Sequence, residues 1–104
     1  MKSVFQDPKR DKYCYVCHTP YNLHCHHIFE GTANRAASEH RGFKIYLCAA
    51  HHNMSGHGIH AATAEGRALD RSVKQMAQRY YEAYIGTREE FINEFTRSYM
   101  EENE

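Results

Sequence analysis

Cys14 and Cys17, in YCYVC, form a C-x-x-C knuckle whose tight turn lets two thiolates reach one tetrahedral ion. A matching half follows in LCAAHH, where Cys48 and His51 make a C-x-x-H pair placed so that a first helical turn or tight loop after a strand presents both ligands. Together they supply three thiolates and one imidazole, an ordinary set for structural zinc. Cys25 competes for the fourth position and would make the site all-thiolate. The His51 set is preferred, because neighbours on a strand point to opposite faces and zinc ligands usually arrive as two short-spaced couples. Cys25 then reads as a small buried hydrophobe.

The second reactive stretch is LHCHHIFEG, which places His24, Cys25, His26 and His27 side by side. All nine histidines of the chain lie between His18 and His60, so its chemistry is concentrated there. A neutral imidazole can bind a divalent ion, and one that titrates near pH 6.5 can take a proton from water. Adjacent on a strand, His26 and His27 would face opposite ways and could divide those two tasks. Arg35 could hold two phosphate oxygens through its guanidinium. No chemical role is expected for His18, His24 or His40.

The elements that must position these residues are short. A chain of 104 residues fits one small domain whose core is marginal without a staple such as a metal. Residues 1–12 are polar and read as a flexible basic lead-in. Residues 13–62 form the metal-binding core, with LHCHHIF and KIYLC as strands and the runs between Pro20, Gly31 and Gly42 as brief strands and loops. Residues 63–104 form a helical pair packed on that core. Leu69, Val73, Met76, Ala77, Tyr80 and Tyr84 make one apolar stripe, and Gly86 stops the helix. Thr87 and Glu90 in TREE then read as a capping box for a second helix carrying Phe91, Ile92, Phe95 and Tyr99 inward.

The formal net charge is zero, which argues against a globally basic nucleic-acid binder, but it is unevenly placed. Residues 1–60 carry seven Lys/Arg against four Asp/Glu, and residues 61–104 carry six against nine, so the histidine-rich half is the one suited to phosphate. No apolar run approaches the ~20 residues of a membrane span, and MKSVFQDPKR has charges where a secretory signal needs an apolar stretch. A cytoplasmic location is expected, where close-spaced cysteines serve metals or chemistry more than disulfides.

The order CYVC, HHIFEGTANR, LCAAHH and GIH resembles the HNH endonucleases, also called ββα-metal or His-Me finger nucleases, in the subgroup with a structural zinc. Within it, the chain is most similar to short phage and prophage HNH proteins, including the phage recombination-enhancement, RecA-dependent nucleases. The likeness covers about Tyr13 to His60. It implies an α+β fold: a small ββα-metal core stapled by the zinc knuckle, followed by the two amphipathic helices.

The resemblance also implies roles. His27 would be the general base, with His26, His52 and His60 binding a catalytic divalent ion and His57 the alternative to His60. The family's middle asparagine has no fixed counterpart, and Asn34 is the residue available as a loop brace. The ion could be Mg²⁺, Mn²⁺, Ni²⁺ or Zn²⁺. The implied activity is hydrolysis of DNA to 5′-phosphate and 3′-hydroxyl ends. The implied partners are DNA and a recombination protein such as RecA; the apolar stripes of the C-terminal helices leave a second copy as a further possible partner, and no membrane partner is expected. The competing expectation is a non-catalytic zinc module that binds nucleic acid or a protein.

Overall fold

A computed structural model describes residues 1–101. The chain runs β1 (Leu23–His27), α1 (Thr32–Arg41), β2 (Lys44–Cys48), α2 (Ala49–His52), α3 (Ala64–Tyr84) and α4 (Arg88–Phe95). The two strands pair antiparallel, with Leu23 opposite Cys48, Cys25 opposite Tyr46 and His27 opposite Lys44. The result is a small α+β domain of one two-stranded sheet and four helices.

The strands form in the two stretches expected, and β2 buries Ile45 and Leu47 completely. The connection between them differs from the expected loop. TANRAASEHR, which includes His40, is the ten-residue helix α1, bounded by the two glycines read as breakers. Gly42 ends it in the left-handed conformation (φ 73°), and a Cβ there would stand 2.3 Å from the Lys2 carbonyl. Ser38 of α1 is fully buried and accepts a hydrogen bond from the Phe29 amide at 3.1 Å, fixing the helix to the end of β1.

The opening residues are also placed differently from a loose lead-in. Gln6 is 3 % exposed, and its carbonyl oxygen accepts from the Tyr46 amide at 2.8 Å while its amide donates to the Tyr13 carbonyl at 2.9 Å. Tyr15 donates to the Tyr46 carbonyl, so residues 6–15 satisfy the outer edge of β2 that would otherwise be an open strand edge. Phe5 packs on Phe43 and Tyr80.

The core is aromatic. Phe29, Phe43, Phe91 and Phe95 are fully buried, with the Phe29 and Phe95 rings 4.5 Å apart. Val73 and Ala77 of α3 are buried, and Leu69, Met76 and Tyr80 pack against the core. Tyr84, expected on the same stripe, is 76 % exposed; Tyr81 and Gln78 are buried instead. Phe91 and Phe95 point inward from α4, which ends before Tyr99, although that ring still packs on the core. The Thr87–Glu90 capping box is complete in both directions. Arg41 and Glu94 form a bidentate pair at 2.8 and 2.9 Å that ties α1 to α4. Among the described residues no helix is long and apolar enough to cross a membrane.

Candidate metal centres and cleft

The Cys14–Cys17 turn and the start of α2 bring four ligand atoms together. Sγ of Cys14, Cys17 and Cys48 and a ring nitrogen of His51 lie within 4.8 Å of one another. Cys17 and Cys48 sulfurs are 3.8 Å apart, and His51 Nδ1 stands 3.2 Å from Cys48 Sγ and 3.7 Å from Cys14 Sγ. Tetrahedral bonds of about 2.3 Å to sulfur and 2.0 Å to nitrogen would put S···S near 3.8 Å and S···N near 3.5 Å. The residues therefore fit a metal ion, consistent with a structural zinc. Burial opposes ionisation of Cys14, but backbone hydrogen bonds from Cys17, Cys48 and Val16 outweigh it and lower the pKa, favouring the thiolate a metal needs. Cys25 is outside this group and exposed on β1, lining a cleft rather than filling the core.

Across β1, a second group forms from His26, His52 and His60, whose ligand nitrogens lie within 4.8 Å of one another. His26 is 3 % exposed; His52 ends the short helix α2, and His60 comes from the loop that follows. The His60 amide donates to the His52 carbonyl, and the two Nε2 atoms are 3.2 Å apart. Burial, reinforced by the neighbouring His60 and His52, pushes the pKa of His26 down to about 3, and burial likewise lowers that of His52. Both rings are neutral at pH 7, the state in which an imidazole offers a lone pair to a metal. His57 stands apart, exposed and hydrogen-bonded to Glu65.

His27 faces away from this group, toward α1. Its Nε2 is 3.0 Å from Glu39 Oε1, and its Nδ1 accepts from Arg35 Nε at 3.4 Å. A carboxylate only accepts, so Nε2 carries the ring hydrogen and Nδ1 the lone pair. Glu39 is kept ionised by the Met1 ammonium, His27 and Lys44, in that order, which hold its carboxyl well below the usual range. Two adjoining hollows, of about 250 and 450 Å³, meet at His27, Gly31 and Arg35; the smaller is lined by the three histidines as well. Asn34 lies on α1 and accepts from Thr96 Oγ1 at 3.3 Å, so it braces α1 against the end of α4 rather than a loop.

Two partners of these rings had no expected role. His24, set aside from the sequence, places Nδ1 2.8 Å from Nδ1 of His52, so that His52 Nε2 is the nitrogen left for an ion. Glu39 orients His27. Only the strand alternation at Leu23–His27 hinted at the first, since His24 and His26 share a face. No family model matches the chain, and no curated protein or solved structure matches it significantly.

Proposed function

We propose that the chain is a metal-dependent DNA endonuclease of the HNH kind, leaving 5′-phosphate and 3′-hydroxyl ends and serving phage or prophage DNA processing or recombination. The observation that carries this reading is the shared cleft. Three histidine nitrogens converge on one side of it, while an oriented imidazole and an exposed arginine stand at its junction.

His26, His52 and His60 would hold one divalent ion. Bound there, Mg²⁺, Mn²⁺, Ni²⁺ or Zn²⁺ would supply Lewis-acid stabilisation for the charge gathering on phosphorus and on the departing 3′ oxygen. The remaining work falls to the chain. Glu39 fixes the tautomer of His27, so that Nδ1 is the nitrogen that would take a proton from water. Arg35 now occupies that nitrogen, and its exposed side chain would have to turn toward phosphate to free it, exchanging one weak hydrogen bond for a charge-assisted pair. The Cys14/Cys17/Cys48/His51 group, read as a zinc site, would lock α2 and so carry His52 into position.

The test is incubation of zinc-loaded protein with plasmid and single-stranded DNA and each of the four metals, alone and with a recombination protein such as RecA. Metal-dependent nicks bearing 5′-phosphate support the proposal; intact DNA under every condition refutes it.

One observation favours the non-catalytic reading: His27 is engaged at both ring nitrogens. In that reading His27 is a structural bridge between β1 and α1, and its replacement would lower stability without changing nucleic-acid binding.

A further inference from the structure

Two histidines of the proposed centre each turn one ring nitrogen to a partner outside it. His52 Nδ1 is 2.8 Å from His24 Nδ1, and His60 Nδ1 is 3.9 Å from Glu30 Oε1. The nitrogens these rings leave over, both Nε2, face each other at 3.2 Å. Two imidazole ligands of one tetrahedral ion, at bonds near 2.0 Å, would stand about 3.3 Å apart.

For His26 the corresponding contact is unmade. Its Nε2 is one of two buried side-chain polar atoms among the described residues that lack a hydrogen-bond partner, and the other is Oδ1 of Asp70. The two side chains come together: a ring nitrogen of His26, a carboxylate oxygen of Glu30 and one of Asp70 lie within 4.8 Å of one another. Asp70 groups with His26 but not with His52 or His60, so it approaches His26 from outside the trio. It sits on α3 at the spacing of the buried Val73 and Ala77, which carries its carboxylate toward the interior. Oδ2 accepts from Lys74 Nζ at 2.8 Å, and Oδ1 is left with nothing bound. A cation on Oδ1 would stand beside the Lys74 ammonium, whereas an N–H donor meets no such repulsion.

A neutral imidazole carries one N–H and one lone pair. With its hydrogen on Nε2, His26 can satisfy Asp70 Oδ1 and keep the Nδ1 lone pair for an ion. With the hydrogen on Nδ1, two buried lone-pair atoms are left without a donor, at the full cost of their desolvation. As placed they form no hydrogen bond, and closing to about 3 Å removes both unmade contacts.

We infer that Asp70 is the positioning residue of His26: it accepts the Nε2 hydrogen and so presents Nδ1 to the ion shared with His52 and His60. Asp70 does not itself touch the ion. Each ligand ring is then held through its second nitrogen, His52 by His24, His60 by Glu30 and His26 by Asp70. The inference rests on the reading of the three histidines as a metal centre and is independent of DNA cleavage.

The experiment is ¹⁵N NMR of the histidine rings in protein whose cysteine site is filled with zinc, before and after a second equivalent of Zn²⁺. The His26 signals are assigned by their loss in H26Q, and D70N and D70A are compared with the parent once circular dichroism has shown them folded. In the parent the hydrogen is expected on Nε2 before the second ion is added, and Nδ1 is the nitrogen whose resonance should move when it binds. In D70A the hydrogen should spread over both nitrogens, and both variants should bind the second ion about 10–100-fold more weakly. A parent with the hydrogen on Nδ1, or with Nε2 on the ion, would overturn the inference while leaving the histidine centre intact. So would a folded D70A with the parent's tautomer and affinity. A parent that takes up no second ion would overturn the centre and the inference with it. If both variants misfold, the parent's tautomer and ligated nitrogen decide alone.

Discussion

Cys17→Ser separates a metal-stapled chain from one held by packing alone. Cys17 is exposed, so its side chain contributes little burial. A substitution at such a position ordinarily changes stability by no more than about 0.5 kcal/mol. If Cys17 is a zinc ligand, the cost is of another size. Binding of structural zinc contributes about 10–16 kcal/mol in small zinc domains, which shared among four ligands is about 2.5–4 kcal/mol each. In a domain of this length each kcal/mol moves the melting temperature by about 4–8 °C. The two cases thus predict shifts of about 2–4 °C and about 10–30 °C. Cys17 Sγ also lies only 3.8 Å from Cys48 Sγ, and the contact spans 31 residues, so losing the ion releases the junction of β2 and α2 from the knuckle. The assay is thermal unfolding followed by circular dichroism, with zinc content measured on the same samples and the parent stripped by chelator as control. A melting temperature within 4 °C of the parent, at unchanged zinc content, would refute the metal-ligand assignment of Cys17.

Other consequences concern the scaffold. Phe29→Ala empties a fully buried site among Phe43, Phe91 and Phe95 and should cost about 3–5 kcal/mol in denaturant unfolding, against under 1 kcal/mol for the exposed Tyr84→Ala. Thr87→Ala removes the cap of α4 and should cost about 1 kcal/mol by the same measurement. Arg41 holds the pKa of Glu94 below its ordinary value, so the pair stabilises the fold above the unfolded-state carboxylate pKa and loses that contribution as pH falls through the folded one. Glu94→Gln should therefore be less stable than the parent by about 1–2 kcal/mol at pH 7, and the gap should close in acid unfolding below about pH 4. A gap that stays constant from pH 7 to pH 3 would mean the pair contributes nothing through its charge.

Sequence order exposed what is local. KIYLC became a strand because its branched and aromatic residues suit a pleated surface, LHCHH pairs with it, and TREE became a capping box because both of its hydrogen bonds close within one turn. The cysteine couples were legible for the same reason, since each half-site is a short loop of its own. Helix α1 was hidden by its ends: Gly31 and Gly42 mark boundaries of a helix as well as of a loop, and TANRAASEHR carries no apolar stripe to tell them apart. The lead-in was misplaced because the polar Gln6 is buried by hydrogen bonds to β2, which composition does not reveal. Glu39 and His24 meet their histidines across 12 and 28 residues, and Asp70 reaches His26 only once α3 has packed. Such partners leave no signature in spacing.

The central claim is that His27 acts as a base beside a metal centre, and it is tested most directly by comparing His27→Ala with the parent for plasmid cleavage, zinc content and second-ion binding on one preparation. The expected result is a variant that melts cooperatively, holds both ions as the parent does, and cuts about 10²–10⁴-fold more slowly. A folded variant that cuts at the parent's rate would contradict it.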